Sequence, residues 1–333
     1  MFDSVGNTAA SGNRHPLTVC QLDGAGSASP VALDSVTGLL SQNQQLWVQL
    51  DAGKPASRNW LEANTQLQPV IIDGLLASQT RPRVAVQSNQ LLMLARGVNL
   101  KSSGAAADMI SLRIWTDGVR LFSAQLRHLK ATETLESQLK AGEGPADVGA
   151  LLIRWLWHLI HDMDDSLAAL EEQTAALEER ALSESYRALQ SEFGQLRRTT
   201  LKFRRYLGPQ RRALAQLAEA DVDWLGDAER MQIREIGELQ HRHVEAIEHI
   251  HSQVSIAHEE QLSDLSAEMN ERMYVMSIVA ALFLPLGFFT GLMGINVGGM
   301  PGVNNEWAFW MVSGFCALVL AGLYTLFRRK GWW

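Results

Sequence analysis

The sequence predicts an α+β soluble domain, in which a mixed α/β layer is joined to long helices, followed by two transmembrane α-helices. Three observations predict this fold class. Short apolar runs typical of strands occupy residues 17–125, apolar residues three and four positions apart dominate from 145 onward, and two long uncharged stretches lie after residue 272. The length of 333 residues allows roughly two domains.

The first predicted domain covers residues 1–144. Its strand-like runs are LTVCQL, LWVQL, RVAVQ, LLMLARGV, MISLRIW and VRLFSAQ, and the turn dipeptides Ser88-Asn89 and Asp117-Gly118 separate two pairs of them. Helices are expected within 44–68 and within 129–140. The GEGP segment at 142–145 interrupts the pattern and predicts a domain boundary.

A helical bundle with a stalk helix is predicted over 145–272. Helices are expected over 145–183 and 184–220, because apolar residues recur there at the helical period. A third helix is expected from 228 to 294, since its apolar stripe continues into the first uncharged stretch. Such a helix would be about 100 Å long and would join the soluble domain to a membrane.

Two segments are long and apolar enough to cross a membrane. Residues 274–295 are 22 positions without a charge and residues 307–327 are another 21, and ~20 such residues span ~30 Å of hydrocarbon. We predict transmembrane helices at 273–295 and 307–327, joined by a periplasmic loop at 296–306. Two buried core helices are the alternative, but they would need a larger protein around them.

Basic residues flank this hairpin on one side only. Arg272 precedes the first span and a basic tail at 328–333 follows the second, whereas the loop has no Lys or Arg. The positive-inside rule therefore places both termini in the cytoplasm. The beginning of the sequence lacks the apolar core of a signal peptide, which agrees with a cytoplasmic domain.

Composition and motifs narrow the classes of function. The formal net charge of −7 argues against a nucleic-acid partner and favours cations. Two cysteines, Cys20 and Cys316, cannot form a disulfide scaffold. The motifs of phosphate loops, dinucleotide loops, metalloproteases and acyl-transfer enzymes are missing, so the sequence predicts neither an enzyme nor a bound cofactor.

Charge is sorted along the predicted helices. Acidic residues crowd the first: Asp162, Asp164, Asp165, Glu171, Glu172, Glu178, Glu179 and Glu184. Basic residues crowd the second: Arg197, Arg198, Lys202, Arg204, Arg205, Arg211 and Arg212. We favour neighbouring helices with complementary solvated faces, and an ion-sensing surface is the alternative.

Histidines concentrate in the helical section. His158 and His161 are three apart on one helix face, a spacing that offers two imidazoles to a zinc ion. His251 and His258 are seven apart and share a face, but they need further ligands to hold one ion. A polar or pH-responsive helix surface is the alternative for all four, and it is favoured because no complete tetrahedral set is legible.

The first span carries an apolar stripe at helical spacing. Its members are Met273, Met276, Ala280, Leu284, Gly287 and Gly291. Such a stripe is either a close helix-packing seam or, in an oligomer, an uncharged pore wall that passes a hydrated cation. The carboxyl end of this helix and Asn296 beside it offer carbonyl oxygens to a cation.

The segment MYVMSIVAALFLPLGFFTGLMGINVGGMPG resembles the carboxy-terminal pore region of the CorA superfamily of divalent-cation transport proteins. The similarity rests on the Met273/Met276 pair, the FLPLGFFTG core, and the triplet at 294–296 with its short loop. The magnesium branch carries Gly-Met-Asn at the triplet. Here the triplet is Gly-Ile-Asn and the loop GGMPG has no acid, which resembles the ZntB zinc-transporter branch.

The resemblance implies a funnel-shaped homopentamer in a bacterial inner membrane. It implies Zn²⁺ as the transported ion, with Cd²⁺, Ni²⁺ and Co²⁺ as further candidates and no cofactor. By position it places Gly294, Ile295 and Asn296 at the outer entrance and the apolar stripe along the pore. A basic cluster at the cytoplasmic mouth would consist of Arg328, Arg329 and Lys330.

These expectations favour zinc transport, most simply a proton-coupled uptake through a central pore. The four histidines are then candidates for zinc or proton sensing, because imidazole titrates near neutral pH. A Mg²⁺, Co²⁺ or Ni²⁺ channel is the alternative within the same class. A membrane-anchored sensor or scaffold that does not conduct is the alternative from another class.

Overall fold

A mixed β-sheet forms the first part of the fold. The computed structural model describes residues 17–42, 44–99, 108–295 and 306–329, and these contain a seven-stranded sheet in the order β2-β1-β3-β7-β6-β5-β4. The strands are β1 Leu17–Leu22, β2 Ala28–Pro30, β3 Leu46–Asp51, β4 Arg83–Gln87, β5 Gln90–Asn99, β6 Asp108–Thr116 and β7 Arg120–Gln125. Strands β3 and β7 pair in parallel, and the other described neighbours pair antiparallel.

All six strand-like runs of the sequence form strands, and both predicted turns are confirmed. Gln87 pairs with Gln90, so Ser88 and Asn89 form a two-residue hairpin turn. Their φ angles of 48° and 65° match the type I′ turn that the twist of a hairpin favours. Gly118, at φ 88°, lies in the turn between β6 and β7.

The described residues also contain nine helices. They are α1 Leu33–Leu40, α2 Pro55–Asn64, α3 Pro69–Leu76, α4 Lys130–Ala141, α5 Val148–His161, α6 Asp164–Ala181, α7 Tyr186–Ala218, α8 Asp227–Met293 and α9 Ala308–Arg329. The helix expected within 129–140 is confirmed as α4. Within 44–68, strand β3 comes first and α2 follows it.

The sheet has an apolar core on each face because side chains alternate along its strands. On β6, Ile114 packs into the cluster with α4 and α5, whereas its neighbour Trp115 packs into the cluster with α1, α2 and α3. Trp47 contacts Trp155 of α5 edge-on at 5.1 Å. These contacts place α4 and α5 against one face of the sheet, where the end of α7 and the beginning of α8 join them.

The prediction of one continuous helix over 145–183 is wrong. The chain turns near Met163 and forms two helices, α5 and α6. The Asp162 amide donates to the His158 carbonyl and the Met163 amide donates to the Ile160 carbonyl, which tightens the last turn of α5. Asp164 and Asp165 then occupy the first turn of α6, where carboxylates interact favourably with the helix dipole. The helices expected at 184–220 and 228–294 are confirmed as α7 and α8 within two residues.

A third core joins α6, α7 and the beginning of α8. Its apolar members include Leu170 and Leu177 of α6, Phe203 of α7, and Ile250 and Val254 of α8. Buried residues on each helix alternate spacings of three and four, the seven-residue pattern of coiled-coil packing. These helices therefore pack as an extended three-helix layer.

The chain divides into two compact units, 1–258 and 259–333. The second unit contains the end of α8 and α9, two helices long and apolar enough to cross a membrane, with no part of either apolar window buried in the described chain. Phe289 of α8 contacts Phe315 of α9, with ring centroids 4.8 Å apart. The domain boundaries predicted at 144 and 272 stay predictions.

Candidate cation pathway

The predicted apolar stripe lies on the exposed side of α8. Met273, Met276 and Leu284 are 64%, 68% and 74% exposed in the single chain. Ala280, Gly287 and Gly291 are exposed as well. A continuous apolar face of this kind indicates lipid or another protein chain as its natural neighbour.

A different face of α8 packs against α9. Along this face Ile278 is buried and Leu282, Leu286 and Phe289 are partly buried, and Phe289 contacts Phe315 of α9. Ala280, Leu284 and Gly287 each differ by two positions from a member of that set, so they lie about 200° away around the helix. The stripe is therefore left free on the side opposite to α9.

Polar groups on this part of α8 are mostly satisfied within the helix. The hydroxyl of Ser277 donates to the Met273 carbonyl at 2.8 Å and that of Thr290 donates to the Leu286 carbonyl at 2.9 Å. Pro285 lies inside the helix and has no amide hydrogen, so the carbonyl of Ala281 lacks its usual donor.

Helix α8 ends at Met293, directly before the predicted triplet, and the first two residues of the triplet follow it. The Gly294 amide donates to the carbonyls of Thr290 and Gly291, at 3.0 and 3.1 Å, and the Ile295 amide donates to Leu292 at 3.4 Å. Ile295 is 48% exposed. A helix carboxyl end carries partial negative charge, which favours a cation. Asn296 lies outside the described residues.

At the end of α9, Arg328 and Arg329 are exposed in the last turn of the helix. Cations at this position interact favourably with the helix dipole. Lys330, the third member of the predicted basic cluster, lies outside the described residues.

The structure does not bring His158 and His161 together on a common ligand. His158 Nε2 lies 3.3 Å from Gln138 Oε1 of α4, and burial lowers the pKa of His158 despite the nearby Asp162 carboxylate. His161 instead contacts Asp164, with Nδ1 3.0 Å from Oδ2, and stacks on Trp157. Each imidazole thus has a partner of its own.

His251 and His258 both face α7. His251 Nδ1 lies 3.0 Å from Thr200 Oγ1, and burial, helped by Arg204 and Arg197, lowers its pKa. His258 Nε2 lies 3.2 Å from the Tyr186 hydroxyl. No group of three or more His, Cys, Asp or Glu residues in the described ranges has the geometry to hold a metal ion.

A buried histidine that was not predicted as a site residue, His243, lies on α8. It is 4% exposed, and its Nε2 lies 2.5 Å from Asp164 Oδ1. Burial lowers the pKa of His243, and the carboxylate only partly offsets this effect. Helical spacing alone indicates that His243 is buried. It lies three residues after the buried Gln240 and four before the buried Ile247, in the three-four pattern of α8.

Comparison with known proteins identifies the family of this helical hairpin and its soluble part. A family model described as CorA-like Mg²⁺ transporter protein matches residues 42–329. The chain belongs to this CorA-like family. The divalent cation transporter CmaX of Pseudomonas aeruginosa is 32% identical to it over 315 residues, 93% of this chain and 95% of CmaX. The zinc transport protein ZntB of Yersinia enterocolitica is 28% identical over 316 residues, 94% of this chain and 92% of ZntB.

Solved structures agree with the sequence relatives. Full-length CmaX superimposes with a TM-score of 0.79 at 33% identity, covering 96% of this chain and 99% of that chain. The CorA magnesium transporter of Methanocaldococcus jannaschii gives a TM-score of 0.78 at 18% identity, covering 96% of this chain and 100% of that chain. The latter shows that the CorA fold is shared.

This CorA-like chain is therefore a divalent cation transporter and a membrane protein with two candidate spans near its carboxyl end. The resemblance read from the pore segment is confirmed for the family, and for the α/β domain followed by apolar helices. Its relatives are transporters, so the prediction that the chain is not an enzyme is confirmed as well.

Proposed function

We propose that this protein carries Zn²⁺ into the cytoplasm across a bacterial inner membrane, through a central pore of a funnel-shaped homopentamer. In this proposal both termini lie in the cytoplasm, and α8 of each copy lines the pore with its apolar stripe. The triplet at 294–296 forms the outer entrance. Arg328, Arg329 and Lys330 surround the cytoplasmic mouth.

One observation carries the pore proposal. The stripe from Met273 to Gly291 is uncharged, exposed and opposite to the face that packs on α9. One hairpin of two helices cannot enclose a water-filled path, so a pore needs several copies with this face turned to a common axis. Five copies are proposed from the family resemblance.

The chemistry of the stripe suits an ion that keeps its water. Without carboxylates in the wall, a divalent cation gains too little from direct contact to lose its hydration shell. Carbonyl oxygens at the end of α8 and the amide of Asn296 would hold those waters at the entrance. Met273 and Met276 would form a hydrophobic ring that closes the path by dewetting.

Zinc is proposed over other divalent metals on two grounds. The triplet is Gly-Ile-Asn rather than the Gly-Met-Asn of the magnesium branch, and ZntB proteins match the chain over nearly its whole length. The broader name of CmaX, a divalent cation transporter, keeps Mg²⁺, Co²⁺ and Ni²⁺ transport as the second candidate. Proton coupling is proposed because four histidines with hydrogen-bond or charged partners lie on α5 and α8: His158, His161, His251 and His258.

Zinc flux tests the proposal directly. Purified protein in liposomes that contain a zinc-sensitive dye should admit Zn²⁺, faster when the outside is more acidic, and excess Mg²⁺ should leave this rate unchanged. Asn296→Ala should lower the flux at least about tenfold, since the amide ring at the entrance is lost. Asn305→Ala, in the same loop but outside the triplet, is the matched control and should keep the flux.

Each other outcome selects a different function. Zinc flux that excess Mg²⁺ abolishes would support the second candidate, transport of Mg²⁺, Co²⁺ and Ni²⁺. Zinc flux that does not change with the pH gradient would show that transport is not coupled to protons. Intact oligomers without metal flux would favour the sensor or scaffold.

A further inference from the structure

Helix α6 contains a repeat of seven residues that begins with two acids. The sequence reads DDSLAAL, EEQTAAL and EERA from Asp164 onward. The acidic pairs are therefore Asp164-Asp165, Glu171-Glu172 and Glu178-Glu179. A step of seven residues returns to nearly the same side of a helix and advances about 10.5 Å, so the pairs form one acidic stripe along α6.

Helix α7 contains the same repeat with the opposite charge. It reads RRTTLKF, RRYLGPQ and RRALAQL from residue 197 to 217. The basic pairs are Arg197-Arg198, Arg204-Arg205 and Arg211-Arg212, and all six side chains are exposed. The spacing of charge along this basic stripe equals that along the acidic stripe.

The two stripes do not neutralise each other inside the chain. Within the described part of the protein, no ion pair joins an acidic pair of α6 to an arginine pair of α7. Asp164 contacts His161 and His243, and Arg211 contacts His241. The two helices share an apolar core, but their charged sides point away from it.

The shape of the acidic stripe also suits a neighbouring helix. Between the acidic pairs lie Ala168, Ala169, Ala175 and Ala176, all exposed. Small side chains allow a second helix to approach closely, and long arginine side chains can then reach the acids beside them.

We infer that the acidic stripe of α6 in one copy of this protein docks on the basic stripe of α7 in the next copy. One copy presents two different patches, an arrangement that closes into a ring when repeated by rotation. The inference rests on the proposed oligomer and assigns the contact that holds its soluble parts together. Arg204 and Arg205 of the stripe also line a groove together with Leu201, Val244 and Glu248, so the docked helix would find apolar contacts beside the arginines.

The central pair of each stripe is the best place for a test. When the two stripes dock in register, the central pairs face each other whether the helices run parallel or antiparallel. If α6 and the neighbouring α7 are antiparallel, Asp165 meets Arg212 and Glu179 meets Arg198, and a parallel arrangement exchanges these partners. In both arrangements Glu172 meets Arg205. A cross-link between positions 172 and 205 of different copies therefore needs no knowledge of direction.

Disulfide cross-linking in membranes provides the first measurement. Cys20→Ser and Cys316→Ser give a background without cysteine, to which Glu172→Cys and Arg205→Cys are added together. Mild oxidation should produce a ladder of covalently linked chains on a non-reducing gel. Glu172→Cys with Arg187→Cys, which lies on α7 outside the stripe, is the matched control and should give no ladder. A monomer closed on itself, or no ladder, would overturn the inference.

Charge reversal provides the second measurement, which does not depend on cross-linking. E171K/E172K and R204E/R205E should each lower the oligomer fraction in size-exclusion chromatography about tenfold, because like charges then face each other. The quadruple variant should restore it. R81E/R83E, an exposed pair on and beside β4, is the control for charge change alone. Unchanged oligomers in both double variants, or no restoration in the quadruple variant, would contradict the docking.

These results separate the interface from the proposed function. A wild-type protein that is monomeric would defeat the pore proposal and the interface together. Wild-type oligomers with zinc flux that tolerate both reversals would defeat the interface alone.

Discussion

His243 shows what burial does to a titratable side chain in this fold. The imidazole lies in the layer between α6 and α8, with Asp164 on Nε2 and no partner for its buried Nδ1 among the described residues. His161 lies on the far side of the same carboxylate and Arg242 is nearby. The low polarity of the site disfavours the charged form more than Asp164 favours it, so the pKa falls.

The pH dependence of stability tests this balance. Because folding lowers the pKa of His243 from 6.5, the unfolded chain takes up a proton first as the pH falls. Stability should therefore be complete above about pH 6.5 and decrease below it, by at most ~1.4 kcal/mol per pH unit for this group. Thermal unfolding of the detergent-solubilised protein between about pH 7.5 and 5.5 measures the decrease.

A substitution assigns the effect to the residue. His243→Gln keeps a donor for Asp164 and removes the titration, so its stability should fall less steeply with pH than that of the wild type. Part of the slope should remain, since the pKa values of His158 and His251 are lowered in the same direction. His249→Gln, at an exposed position of the same helix, is the control. A wild-type slope in His243→Gln would contradict the prediction.

Partners of single residues are where prediction from sequence reaches its limit. Periodicity placed His158, His161, His251 and His258 on helices, but their partners come from other elements. Tyr186 meets His258 across 72 residues of sequence, and such pairings depend on how helices pack. A single sequence contains the spacing within a helix and lacks the rotation of one helix against the next.

Among the elements, α8 has two separate apolar faces near its end. One face packs on α9 and the other carries the stripe with Gly287 and Gly291. A methyl group added at Gly287 would meet no other atom within 4 Å among the described residues. Any effect of a larger residue there therefore reports contacts outside the described chain: with lipid, with other copies or, in the proposed function, with the transported ion.

Gly287→Leu should lower zinc flux about tenfold or more while the oligomer stays intact, because five leucines would narrow an uncharged pore. Gly314→Leu on α9 is the matched control, since an added methyl group there also meets no atom within 4 Å in the described part of the chain. Flux measured in liposomes and oligomer size measured in detergent give the two readouts. Equal losses in both variants would argue against a pore-lining role for Gly287.

Elements with strong periodicity were predictable, and short ones were not. The strands β1 and β3 to β7, and the helices α4, α7 and α8, follow from alternation and helical spacing. Helix α1 is eight residues long and strand β2 is three, too short for a period to show. The turn at Met163 was missed because HDMDD contains neither Gly nor Pro, the usual signs of a helix end.

For the whole molecule, orientation in the membrane is the prediction with the most direct test. In a background with Cys20→Ser and Cys316→Ser, a cysteine at Val303 should react with an impermeant maleimide from outside intact spheroplasts. A cysteine at Leu182, 89% exposed between α6 and α7, should react only after the membrane is opened. The positive-inside rule gives this expectation, and the reverse pattern of labelling would contradict it.

At the same scale, the sequence was sufficient for the family because the pore segment is a single continuous element. Its methionine pair, proline, glycines and triplet lie within 30 residues, so no tertiary contact is needed to recognise them. The matching repeats of α6 and α7 are equally visible in the sequence. Their meaning required the structure, since only the fold shows that the two stripes leave each other unpaired.

The order of elements along the chain also has a consequence for biosynthesis. The sheet ends at Gln125, whereas the first apolar span begins near Met273. A ribosome needs roughly 7–30 s to translate the roughly 150 residues between them, and sheets of this size fold in milliseconds to seconds. The sheet can therefore form while the nascent chain is still free of the insertion machinery. A substitution that slows its folding would then expose the polypeptide to proteases before any of it reaches the lipid.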